Sequence, residues 1–124
     1  MIPRVTVSPE ASEIIRQLKE NFGDLMFHQS GGCCDGSQPM CFEKGDFILG
    51  SSDVCLGIID DCEFWMSKDQ FEYWKHTRLN IDITKGMGSS FSLEIPMGLR
   101  FITLSRLFTE EELVDLEPLR FVED

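Results

Sequence analysis

Basic residues are scarce in this chain: eleven Lys and Arg stand against twenty-two Asp and Glu, for a formal charge of −11. Such a field repels phosphate backbones and anionic headgroups, which argues against nucleic acid or a membrane surface as a partner. Long apolar runs are also missing. The longest, such as "VCLGII" at 54–59, fall far short of the roughly 20 residues that span a bilayer. The opening "MIPRVTV" lacks the basic region and apolar stretch of a secretory leader, so the expected compartment is the cytoplasm. No nucleotide-binding fingerprint occurs, because "GMG" at 86–88 has neither the third glycine nor the strand-to-helix setting. No serine lies in a GxSxG nucleophile elbow, and no paired CxxC spacing marks a zinc ribbon.

What remains is an ordinary globular composition, 42% hydrophobic and 27% charged, in 124 residues. That length fits one domain with one modest core. Residues 1–108 form the expected domain and 109–124 an acidic helix and tail. The tail holds seven acids (Glu110, Glu111, Glu112, Asp115, Glu117, Glu123 and Asp124) against one base, Arg120. A solvated surface explains that run more simply than a docking site for a basic partner.

Helix and strand signals alternate unevenly. "VTVSPEASEIIRQLKENFG" predicts a short strand and then a helix, with Ser8 as cap, Pro9 at the first helical position and Gly23 as the stop. Ala11, Ile14, Ile15, Leu18 and Phe22 share one helical face and should be core. Asp24–His28 reads as a strand. "DFILG", "VCLGII" and "EFWM" read as three short strands, and "SKDQFEYWKH" as a brief helix capped by Ser67, with Phe71, Tyr73 and Trp74 expected in the core. "LNIDIT" and "SFSLEI" alternate with period two, placing Leu79, Ile81 and Ile83 on one face and Phe91, Leu93 and Ile95 on another, with Glu94 turned to solvent. A last strand, "RFITLSRLF", precedes a helix opened by Thr109 and Glu112 at capping-box spacing and limited by Pro118. One helix followed by many short strands predicts an α+β fold with a mostly antiparallel sheet.

The chemistry-bearing stretch is "HQSGGCCDGSQPMC", residues 28–41, with three of the five cysteines beside a histidine and three glycines. An odd cysteine count and a reducing compartment favour metal or thiol chemistry over structural crosslinks. Glycine-rich backbone can bring amides close to sulfur and stabilise a thiolate. Asp35 acts against this, since a neighbouring carboxylate raises a thiol's pKa, unless a cation sits between them. His28, Cys33, Cys34 and Cys41 are donor types that zinc, iron or an iron–sulfur cluster accepts. The same residues also admit a tight turn with packed cysteines, a Cys34–Cys41 disulfide, or nucleophilic catalysis by Cys33 or Cys34 with His28 as base. Cys55 and Cys62 lie in strand-like runs and are expected to be buried and inert.

Three stretches together, "HQSGGCCDGSQPMC", "FWMSKDQFEYWKHT" and "FSLEIPMGLRFITLSRLF", resemble the DUF779 family of small bacterial proteins over about Val5 to Phe108. Members are often encoded beside aldehyde or alcohol dehydrogenases, which implies an accessory role and a dehydrogenase as partner. "VTVSPEASEIIRQL" followed by "LMFHQSGGCCDG" is similar to the opening of A-type iron–sulfur carriers, with Cys33 at the position of the cysteine after their glycine pair. That likeness implies a compact HesB-like β fold and a homodimer, although the carriers' C-terminal C-x-C motif is absent. The expectation is a metal- or iron–sulfur-binding accessory protein with His28, Cys33, Cys34 and Cys41 as ligands. The alternatives are a thiol-dependent or aldehyde-scavenging protein, and a non-catalytic module that binds a dehydrogenase.

Overall fold

The Ser8 hydroxyl accepts a hydrogen bond from the Ala11 amide at 3.1 Å, and this cap starts the first helix, α1 (Pro9–Phe22). Gly23, at φ +82°, ends it with its amide on the Lys19 carbonyl. Ala11, Ile15 and Leu18 are buried, whereas Phe22 is 41% exposed. The helical stripe continues geometrically to Phe22, but the core beneath it ends one turn earlier.

The structure is a computed structural model and describes residues 1–29, 31–32, 35–86 and 92–122. Among the described residues, eight strands and three α-helices make an α+β fold in two sheets. In the three-stranded sheet, β1 (Val5–Val7) runs parallel to β6 (Thr77–Lys85), which pairs antiparallel with β7 (Leu99–Leu107). The five-stranded sheet has the order β3-β2-β5-β4-β8, from β2 (Leu25–Gln29), β3 (Met40–Glu43), β4 (Asp53–Ile59), β5 (Cys62–Ser67) and β8 (Arg120–Phe121). Four of the six strand pairings are antiparallel; β1–β6 and β2–β5 are parallel. Helices α2 (Lys68–Trp74) and α3 (Glu110–Leu113) follow β5 and β7.

The five-stranded sheet carries a buried cluster on each face. One face sends Leu25, Phe27, Cys41, Val54, Phe64 and Met66 into the main core, where they meet α1 and the inward residues Val5, Leu79, Ile81 and Phe101 of the other sheet. The opposite face carries Met26, Cys55 and Trp65, covered by Phe42, Phe47, Leu49 and Val122. Asp60 and Asp61 turn β4 into β5 with φ of 48° and 64°, the left-handed pair that a two-residue hairpin requires.

Several expectations hold: the caps of α1 and α2, the inward face of β6, and the Thr109–Glu112 capping box, which is complete. Others change. Residues 46–50, read as a strand, are a bend and an irregular segment, with Ile48 91% exposed; the strand lies earlier, at β3. Tyr73 is 69% exposed, while its neighbour Trp74 is buried. In the stretch read as a strand at 90–95, the described residues 92–94 are a bend and turn leading into a 3-10 helix, Ile95–Met97, closed by Gly98 at φ +75°. Pro96 has no amide to give a ladder, and Glu94 turns inward to become fully buried, reversing its expected exposure. Phe91 lies outside the described residues.

Candidate functional site

The glycine- and cysteine-rich segment joins β2 to β3 and is fastened on both sides of the Cys33–Cys34 pair. Those two residues lie outside the described ones; their neighbours do not. On the entering side, Gln29 is fully buried. Its carbonyl oxygen accepts from Thr103 Oγ1 at 2.6 Å and its amide donates to the Gly31 carbonyl at 3.3 Å. The Gly32 carbonyl accepts from Trp74 Nε1 at 3.2 Å and from Gln70 Nε2. The Gln70 side chain thus reaches from the first turn of α2 to the loop, while its backbone amide donates to the Ser67 cap. Gly32 has φ +90°, and a methyl group there would lie 2.2 Å from Ser37 Oγ, so glycine is required by both backbone and space.

On the returning side the loop is stitched along the free edge of β7. Ser105 donates its amide (2.8 Å) and hydroxyl (2.7 Å) to Asp35 Oδ1. The Thr103 amide donates to the Ser37 carbonyl at 2.7 Å, and the Gly36 amide returns a bond to the Thr103 carbonyl at 2.9 Å. One step further along, the Phe101 amide donates to Glu94 Oε2 at 2.8 Å. Three successive outward amides of an edge strand are therefore satisfied by a carboxylate, a carbonyl and a carboxylate. An open strand edge would otherwise be a template for pairing with another chain.

Glu94 ties this edge to β3. Besides the Phe101 amide it accepts from Ser92 Oγ and from Gln38 Nε2 (3.4 Å), and Ser92 Oγ accepts the Cys41 amide at 2.9 Å. A buried carboxylate is thus held by neutral donors, the arrangement that makes burial of such a group tolerable. Reading 90–95 as an alternating strand hid this residue. The signal that could have revealed it is the turn sequence "EIPMG", which breaks the strand just after Glu94.

The structure separates two of the four expected metal ligands. Cys41 pairs with Phe27 across β2–β3 and shares its face, inside the main core. His28 is the next residue along β2 and faces the other way, stacked on Phe47 at 4.2 Å between ring centroids. Its Nε2 lies 2.9 Å from Asp53 Oδ1, and Asp53 Oδ2 accepts the Gly50 amide at 3.0 Å. His28 thus helps anchor the covering segment 47–50. A sheet stands between these two side chains, so His28 and Cys41 do not form one donor set. Among the described residues, no group of three or more His, Cys, Asp and Glu side chains is placed to hold a metal.

The three described cysteines are all fully buried. Burial, reinforced by Glu94 and Cys62, pushes the Cys41 thiol far up. Burial also raises Cys55, and it pushes Cys62 up to about 11. All three are therefore protonated and unreactive at neutral pH, as expected for Cys55 and Cys62. Gly31, Gly32 and Asp35, by contrast, are exposed.

The family model described as a domain of unknown function, DUF779, matches residues 14–107, more than half of the chain. The chain belongs to the DUF779 family. The DUF779 match takes in the fastened loop, α2, Glu94 and β7, and leaves out β1 and the segment from Phe108 onward. No curated protein and no solved structure matches. No described helix is long and apolar enough to cross a membrane.

Proposed function

We propose that this DUF779 protein is a thiol-centred accessory to aldehyde or alcohol oxidation, in which Cys33 or Cys34 captures an aldehyde. The observation that carries this reading is the fastening of the loop on both flanks of the pair, at Gly32 and Asp35, beside exposed backbone. A flexible loop would present thiols at random; one fixed at both ends can hold a thiolate near oriented amides. Cys41, Cys55 and Cys62 are buried, so the reading is placed on Cys33 and Cys34. The substrate class comes from the dehydrogenase neighbourhood that the family likeness implies.

The step needs no other reagent. The thiolate sulfur adds to the carbonyl carbon, the C=O π bond opens, and the oxygen takes a proton from water to give a hemithioacetal. The adduct forms reversibly and can be handed to a dehydrogenase, which acts as the partner. In the test, the protein is treated with iodoacetamide in the presence and absence of acetaldehyde, and the labelled peptides are quantified by mass spectrometry. Acetaldehyde should slow labelling at Cys33 or Cys34; equal labelling rates would defeat the reading.

A second reading assigns the same pair to zinc, iron or an iron–sulfur cluster. Two thiols per chain are half of a four-coordinate sulfur set, so a homodimer would supply the rest. His28 and Cys41 lie on opposite faces of the sheet, so they do not both complete that set, and the reading rests on the cysteine pair. Metal analysis and a visible spectrum of anaerobically purified protein test it. Metal lost in Cys33→Ser and Cys34→Ser but kept in His28→Ala and Cys41→Ala supports it; a metal-free protein rejects it.

A further inference from the structure

The outer face of the three-stranded sheet holds an arrangement that the thiol chemistry does not use. Arg78 of β6 stands directly opposite Arg106 of β7 in the antiparallel register, and like charges in that relation repel. Such a pairing is unexpected in a chain with twice as many acids as bases. Arg106 is compensated, since its guanidinium forms a two-point pair with Glu112 at 2.8 and 2.9 Å. Arg78 is half-buried, and among the described residues its guanidinium has no hydrogen bond or ion pair. One positive charge is therefore left over.

That charge lines a cavity of about 250 Å³ with Asn80, Leu104, Ser105 and Arg106. Thr6 Oγ1 donates to Asn80 Oδ1 at 3.0 Å, which leaves the Asn80 amide nitrogen as a donor. Asn80 and Leu104 are cross-strand partners, so a guanidinium fork, an amide donor and an apolar side chain surround one small space. We infer that this cavity binds a small aliphatic monocarboxylate. The planar carboxylate matches the fork of Arg78 with two parallel hydrogen bonds, and a short alkyl chain lies on Leu104. A single uncompensated charge favours a monoanion over a phosphate dianion, and Leu104 offers phosphate nothing. The assignment does not depend on the thiol reading.

The test is calorimetric titration of the full chain with acetate, propionate, butyrate and inorganic phosphate. The carboxylates should bind saturably with roughly millimolar affinity. Affinity should rise about two- to fourfold per methylene, the gain from burying part or all of each CH₂. Phosphate should bind more weakly than butyrate. Arg78→Gln should abolish binding and Arg78→Lys weaken it, while Leu104→Ser should keep acetate binding but lose the chain-length trend. Far-UV circular dichroism checks that each variant is folded. No saturable carboxylate binding, phosphate binding as tight as butyrate, or unchanged binding in folded Arg78→Gln or Arg78→Lys would overturn the inference.

Discussion

Replacing Gly32 by alanine tests the loop architecture with a single methyl group. Two costs add at this position. An L-residue at φ +90° occupies a sparsely populated conformation, at about 1–3 kcal/mol. The new Cβ would stand 2.2 Å from Ser37 Oγ and 2.5 Å from Ser37 Cβ, an overpacking that costs about 1–3 kcal/mol more if the neighbours cannot move. Ser37 cannot retreat freely, because its carbonyl accepts the Thr103 amide. The expected loss is therefore about 2–6 kcal/mol, read as a lower midpoint in urea unfolding at unchanged slope. Gly31→Ala is the control. Among the described residues nothing lies within 4 Å of its added Cβ, and its φ is not positive, so it should stay within about 1 kcal/mol of the parent. Adding Ser37→Gly to Gly32→Ala removes the clash but not the backbone cost, and should restore about 1–3 kcal/mol. Equal stability of Gly31→Ala and Gly32→Ala, or no recovery in the double variant, would refute the reasoning.

Three further outcomes follow from the same geometry. Glu94→Ala leaves the buried Phe101 amide and Ser92 hydroxyl without their acceptor and should cost about 2–4 kcal/mol by urea unfolding; Glu94→Gln, which keeps one acceptor oxygen, should cost less than half of that. His28→Ala should lose about 2–4 kcal/mol through the emptied stack on Phe47 and the stranded Asp53 carboxylate, again measured by urea unfolding. Alkaline pH should destabilise the fold. Burial raises the Cys62 thiol to about 11 from an ordinary 9.0, so between these values the unfolded chain releases a proton that the folded one keeps. Its stabilising contribution is full below pH 9 and falls as pH rises toward 11; the fall should be shallower in Cys62→Ala when unfolding is followed across that range.

Where the sequence states its own local rules, the fold is legible in it. Ser8, Pro9 and Gly23 delimit α1, and Thr109 with Glu112 opens α3, because caps act within a few residues. Leu79 and Ile81 point inward because period two needs no knowledge of the partner strand. Legibility ends where a non-local partner decides. "SFSLEI" has the alternation of a strand, yet the Phe101 amide and Pro96 turn Glu94 inward and break it. "DFILG" is apolar enough for a strand, but Phe47 and Leu49 instead cover the sheet's second face. The candidate site shows the same divide. The glycine requirement could be read from sequence and falls on Gly32 and Gly36, the loop glycines with positive φ. Placing Cys41 and His28 together could not be tested there, since the faces follow from the β2–β3 register, with Phe27 opposite Cys41.

The measurement closest to the central claim is iodoacetamide labelling of the folded protein across pH, with each cysteine quantified by peptide mapping. A thiol pair mounted between the fastened flanks at Gly32 and Asp35 should label alone, with a midpoint for Cys33 or Cys34 below the free-thiol value of about 8.5. Cys41, Cys55 and Cys62 should react only after unfolding. Labelling spread evenly over all five cysteines, or a midpoint at Cys33 and Cys34 no lower than that of a free thiol, would contradict the account.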